Sequence, residues 1–351
     1  MDAERFAEMV ARLERESSAA PGAYRFKVAL LALLGFGVLA LVLGFAGLGL
    51  LLLAGVAAAV LLTGGKALIL LFKLGKFLVL LAVPLWMLVK SSLSALFTRF
   101  PAPDQGREIS RAEASELFAA LDAMRARMKG PRFHHVRITN DFNAAVVQRP
   151  LLGLFGWPRN YLLLGLPLLE SLSAEEALSV VAHEYGHLAG SHAHFGAFIY
   201  RLRHTWGTIQ DLAGQWQGWG GRLLRRIVEW YAPYFNAYTF VLARANEYEA
   251  DAASAELVGP AVAASALKRV NIVGVRYQQF FDGVFRGLRD VPQPPADTAE
   301  RWSRDAVQMP PAELATRWLQ DSLGREKNAF DTHPVLRERL RALPNEAQRV
   351  E

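Results

Sequence analysis

The chain has 351 residues, 52% of them hydrophobic and 21% charged, which is room for one sizeable domain plus a membrane segment but not for a second catalytic domain. It contains no cysteine, so disulfides and thiolate metal sites are excluded and His, Asp and Glu side chains must hold any metal. The net charge of +6 is spread over scattered arginines and over lysines beside apolar runs, a pattern of anionic-lipid contact, and no nucleic-acid motif is present.

Residues 1–26 form an N-terminal amphipathic segment, in which 1–22 read as a short helix of mixed charge ending at Pro21-Gly22. A signal peptide is not expected, because the apolar run starts too late and no small-residue cleavage site closes it. The membrane region is assigned to 27–93. From Val28 to Gly65 no residue is charged, and a span needs roughly 20 apolar residues. The cluster Gly44–Gly49 falls where a hairpin turn would lie. Two short helices, about 27–44 and 49–65, are therefore expected as a transmembrane hairpin, packed through Gly35, Gly37, Ala46 and Ala57 to Ala59. One long tilted helix is the alternative. The next apolar run carries Lys73 and Lys76, which are costly at mid-bilayer, so 67–90 are expected as an interfacial or re-entrant helix. With a hairpin, Arg25 and Lys27 lie on the same side as Lys66, Lys73 and Lys76, and the positive-inside bias places both flanks in the cytoplasm.

Pro101 to Gly106 is the linker into a folded domain, assigned to 94–351. There, residues 110–130 predict a helix with a glycine stop at Gly130. Residues 134–148 and 160–170 predict strands, with 153–159 as the turn between them. Residues 171–190 predict a helix that opens on a capping box, Ser173 and Glu176. The fold class that follows is α+β and mainly helical, with a small sheet.

On that last helix lies His183-Glu184-Tyr185-Gly186-His187. Residues four apart share a helix face, so both imidazoles can reach one ion, and Glu184 is placed to take a proton from a water on it. A helix with two unrelated histidines is the bland alternative. A third donor is needed, and a later helical stretch offers Glu247 and Asp251 on one face, with Glu249 pointing elsewhere. Spacing alone does not separate a ligand pair from an exposed acidic face.

Three motifs in order, H-E-x-x-H at 183–187, E-Y-x-A-D at 247–251 and Thr332-His333-Pro334 followed by Arg339 and Leu343, resemble the membrane-bound zinc metallopeptidases of the CAAX prenyl protease and HtpX type, within the gluzincins. The resemblance covers roughly 110–345. It implies a gluzincin-like domain holding one zinc ion per chain, with Glu247 as third ligand beside His183 and His187. It also implies that Glu184 is the general base, that Asp251 orients the site and that His333 lies near it as a candidate stabiliser of the oxyanion. The prenyl-protein proteases have seven spans around a chamber, whereas nothing after Arg99 here reads as a span, so an HtpX-like quality-control peptidase suits this topology better. The expected setting is a bacterial inner membrane with the domain on the cytoplasmic side, and the expected partners are a polypeptide substrate and the lipid bilayer, with no nucleic acid.

The substrate is expected to lie extended against an edge strand around Tyr161 to Leu164. His192 and His194 are expected to be exposed loop residues, and His134 and His135 to sit at a strand start without a catalytic part. The aromatic stretch Trp206 to Phe240 fits helix packing or an interfacial belt. Two other function classes remain: a membrane-anchored chaperone or scaffold with a structural zinc, and a channel component built on 28–93. The second is disfavoured because no ionisable residue lies in the main apolar run.

Overall fold

A computed structural model describes residues 2–63, 86, 102–152, 155–189, 195, 199, 202, 219–289, 291, 293, 295–308, 310–328, 331 and 333–344. The expected interfacial helix over 67–90, His192, His194, Trp206, Trp216 and Thr332 thus fall outside the described residues, apart from Trp86. The chain divides into two compact units. One comprises Met1–Phe100, Pro150–Trp157 and Phe198–Thr239; the other comprises Pro101–Arg149, Pro158–Ala197 and Phe240–Glu351.

In the first unit, helix α1 (Ala3–Ala19) starts on the Asp2 side chain, which accepts from the Arg5 amide. It buries Phe6, Met9, Val10, Leu13 and Ser17, the stripe its amphipathic pattern predicts. Helix α2 (Pro21–Leu62) then runs for 42 residues without a break. The expected hairpin is corrected here to a single helix, the alternative reading. Gly44, Gly47 and Gly49 weaken a helix by about 1 kcal/mol each, but a turn opened among apolar residues would leave backbone polar groups unsatisfied at several kcal/mol. At 1.5 Å per residue α2 is about 63 Å long, roughly twice a hydrocarbon core. Its first part, Pro21–Val38, is long and apolar enough to cross a membrane. Tyr24, Val28, Ala32 and Gly35 are buried along one side, while Phe26, Leu30, Leu33 and Leu34 are exposed. The hairpin was also the premise for placing both basic flanks on one side of the membrane, and one continuous helix removes that premise.

The second unit opens with β1 (Arg107–Glu108) and α3 (Ser115–Met128). The helix stop differs from expectation: Lys129 takes the left-handed conformation at φ 51°, and Gly130 serves another purpose. A Cβ at Gly130 would come within 2.6 Å of the Tyr185 hydroxyl, so glycine lets that buried ring close over the turn and donate to Pro131 O at 2.7 Å. Strands β2 (His135–Thr139), β3 (Ala144–Leu152) and β4 (Phe155–Gly165) complete a four-stranded sheet in the order β1-β2-β4-β3. β4 lies parallel to β2, with His135 opposite Tyr161 and Thr139 opposite Gly165. The turn expected over 153–159 is therefore mostly strand. His134 and His135 make sheet contacts, the first accepting from the Asn160 amide and the second stacking on Tyr161.

After a helical turn α4 (Leu166–Leu169), α5 (Ala174–Ala189) begins with the expected capping box. Ser173 N–H donates to Glu176 Oε2 at 2.9 Å and the Glu176 amide donates to Ser173 Oγ at 3.2 Å. Leu162, Leu164, Val136, Leu121, Met124, Ala182 and Tyr185 bury the sheet face against α3 and α5. Helix α6 (Trp219–Val258) contains Pro233 and runs from one unit into the other. α7 (Pro260–Gly287), α8 (Thr298–Ala306), α9 (Ala312–Gly324) and α10 (Leu336–Ala342) follow. The architecture is mainly helical with a small sheet, as expected.

Candidate metal centre

Two helices supply the donors. α5 carries His183 and His187 one turn apart, and the second half of α6 carries Glu247 and Asp251 one turn apart. The helices come together through small residues. A Cβ on Gly186 would sit 3.0 Å from Ala250 Cα, so at this point backbone meets backbone. One layer away, the Ser179 and Ser254 hydroxyls lie 2.8 Å apart, and Ser254 Oγ also donates to Ser179 O.

One donor atom from each of His183, His187 and Glu247 lies within 4.8 Å of the others. His183 Nε2 is 3.5 Å from Glu247 Oε2 and His187 Nε2 is 3.4 Å from Glu247 Oε1. Tetrahedral ligands about 2.05 Å from zinc stand roughly 3.3–3.4 Å from one another, and here each imidazole is about that far from one of the two Glu247 oxygens. Glu247 is buried, and its Oε2 has no hydrogen-bond partner among the described residues. His333 Nδ1 comes to 2.9 Å of that oxygen, but not in a direction that makes a hydrogen bond. A buried carboxylate oxygen left so is costly unless a cation takes it. The donor set therefore fits a zinc ion.

Around the donors stands a second layer. Asp251 Oδ1 lies 2.9 Å from His183 Nδ1, an acceptor for the Nδ1 proton that orients the ring with Nε2 toward Glu247. Asp251 is itself clamped by Arg339 from α10, Nε to Oδ2 at 2.8 Å and Nη2 to Oδ1 at 2.6 Å. That two-pronged ion pair is buried, where removing one partner is expensive. Arg339 appeared in the sequence only as a motif position; its contact with Asp251 exists because α10 packs back over α6, which no local pattern reveals.

The electrostatics follow. Burial disfavours the charged form of His183, but the contacts with Asp251 and Glu247 outweigh it and push the imidazole up to about 9. Burial likewise works against Glu247, yet His183, His187 and His333 hold its carboxyl far below the usual range. The carboxylates that keep a proton on His183 would hold a cation in its place. Glu184 shows the opposite balance: burial, chiefly, raises its pKa, with the Val146 backbone hydrogen bond opposing. His333 is raised by its contact with Glu247, and its side chain is 71% exposed at the mouth of the site.

Val146 belongs to β3, an edge of the sheet, whereas β4 with Tyr161 to Leu164 is an interior strand paired on both sides. The expected docking strand is corrected accordingly. β4 inserts between β2 and β3, and the free edge beside Glu184 is the stretch from Ala144. A cavity of about 210 Å³ opens there, lined by Asn143, Ala144, His183, Glu184, Glu247 and His333 among others.

The family described as Peptidase family M48 has a model that matches residues 121–347 of this chain. No curated protein matches. Among solved structures, "Crystal Structure of S. mikatae Ste24p" matches with a TM-score of 0.31 and 16% sequence identity, over 90% of this chain and 66% of that one. The chain thus spans just under two thirds of the length of that structure.

Proposed function

The chain belongs to peptidase family M48, and from that premise we propose that it is a membrane-anchored zinc endopeptidase that hydrolyses bonds within membrane or misfolded proteins, in HtpX-like quality control. The observation that carries this reading is the convergence of His183, His187 and Glu247, with Glu247 Oε2 making no hydrogen bond among the described residues and Glu184 in the same cavity. Three protein donors leave a fourth position open, as catalytic zinc sites require and structural ones do not.

In this reading His183, His187 and Glu247 hold the ion. Zinc bound there supplies a polarised peptide carbonyl and a water whose pKa falls toward ~7. Glu184 takes the proton of the attacking water and delivers it to the leaving amine; its burial-raised pKa suits a group that must both accept and return a proton. His333, close to Glu247 and open to the cavity, is the donor for the developing oxyanion. Asp251 and Arg339 touch no reacting atom and act by orienting His183. The substrate backbone extends along the free edge of β3 by strand addition.

α2 provides the membrane anchor. We place the peptidase domain on the cytoplasmic side of a bacterial inner membrane, a sidedness supported by the positive-inside bias of Arg25 and Lys27 in the first turns of α2 and of Lys66, Lys73 and Lys76 beyond it.

The decisive experiment is Glu184→Gln in the purified protein. Zinc content should stay at one per chain while peptide cleavage falls at least about a thousandfold, within the range one proton-transfer group and its positioning supply. Retained cleavage would sink the assignment. Comparing membrane-fraction proteomes of wild type and this variant identifies the substrates.

A further inference from the structure

Beside the cavity that holds Glu184 lies a larger one of about 440 Å³, and Asn271, His333 and Arg339 line both. Part of its lining is apolar: Pro334, Val335 and Leu336, at the start of α10, are all buried. Its rim holds Ser322 and Arg325, at the end of α9, and Asp331. Arg244, buried in α6, fixes this rim by donating to Asp331 O at 2.9 Å and to Asn328 O at 2.6 Å.

The two arginines facing this space differ. Arg339 is spent on Asp251 through both prongs of its guanidinium. Among the described residues Arg325 has only Asp331 Oδ2 at 4.0 Å as an ion-pair partner and makes no side-chain hydrogen bond, and its side chain is 72% exposed. A solvent-exposed pair at that distance contributes little, so Arg325 keeps its fork of donors for another acceptor. A fork of donors in a cavity partly lined by apolar residues suits a carboxylate on a short aliphatic stem, which it can grip with two parallel bonds. The neighbouring Asp331 makes the rim a poor host for a doubly charged phosphate.

We propose that this second cavity is a substrate subsite for a carboxylate, either an acidic side chain or the C-terminal carboxylate of a chain, with Arg325 as the specificity-determining cation. The proposal rests on the peptidase reading in that the occupant is part of a peptide whose backbone passes the metal ligands.

The test is peptide binding by the full-length, zinc-loaded Glu184→Gln chain in detergent, read by fluorescence anisotropy. One peptide set moves a single glutamate along an otherwise neutral, amidated sequence. A second peptide is neutral with a free C-terminus, and a third is neutral and amidated. At one glutamate position, or with the free C-terminus, affinity should exceed that of the neutral amidated peptide by roughly tenfold or more. That ratio should fall to about one in the additional Arg325→Gln variant, and Arg325→Glu should prefer a lysine peptide instead. A gained preference cannot come from misfolding. Equal affinities throughout, or an acidic preference that survives both substitutions, would overturn the subsite. The two readings part cleanly: Arg325-dependent binding without cleavage by wild type removes the peptidase and keeps the subsite, while cleavage without Arg325-dependent selectivity does the reverse.

Discussion

Trp219–Thr239 and Phe240–Val258 are one continuous helix, yet its two halves grip their surroundings by different means. In the first half large aromatics do the work. Tyr231 and Phe235 are buried, Tyr238 stacks on Tyr24 with centroids 5.7 Å apart, and two hydroxyls reach across to backbone carbonyls, Tyr24 to Tyr238 and Tyr231 to Leu31. Trp230 and Tyr234 stay exposed, so the aromatic stretch divides between packing and open surface. In the second half the contacts are small residues and buried charges: Ala250 against Gly186, Ser254 against Ser179, and Glu247 and Asp251 facing histidines. Aromatic packing is tolerant and additive. Charge packing at close range is neither, because each group depends on its partner being in place.

Substitutions can break or sharpen that contrast. The largest effect is expected from Arg339→Ala, which leaves Asp251 buried without its counter-charge. Zinc affinity should fall roughly 10- to 100-fold with activity following it, measured by competition with a fluorescent chelator. An unchanged zinc affinity would show that Arg339 does not act through His183. Next is Gly186→Ala. A Cβ 3.0 Å from Ala250 Cα requires the facing backbone of α6 to give by a few tenths of an ångström, an overpacking of about 1–3 kcal/mol that should show as lost thermal stability together with weakened zinc binding. In the first half, Tyr231→Phe removes one hydrogen bond and should cost about 1 kcal/mol of stability at most, with zinc affinity untouched. If zinc binding fell equally, the halves would not be separable.

The smallest effect is one of pH. Burial opposes the charge on Glu176, but the Ser173 amide, Ser265 and Arg269 more than offset it and lower the pKa. A lowered native pKa means stability present above the ordinary glutamate value of 4.5 and lost as pH falls through the native value. Melting curves of wild type and Glu176→Gln should therefore differ at neutral pH and converge in acid; a gap that persists in acid would assign the effect to packing.

What the sequence made legible follows the same division. His183, Glu184 and His187 could be read because helix geometry alone puts i and i+4 on one face, and Glu247 with Asp251 repeat that spacing. The capping box at Ser173 and Glu176 is equally local. The role of Arg339 is not local, since it depends on α10 folding back over α6. Strand order failed for a related reason: β4 reads as any apolar strand, and nothing in Tyr161–Leu164 announces that it inserts between β2 and β3. The continuous α2 ranks behind a hairpin in the sequence because glycines that mark turns in water are tolerated within an apolar helix.

The contact between Gly186 and Ala250 has a further consequence. Where two donor-bearing helices touch through their backbones, no rotamer change at the contact can alter their separation. The donor helices are therefore held at their working distance by the fold itself, and the ordering cost of bringing them together is met when the chain folds rather than when an ion arrives.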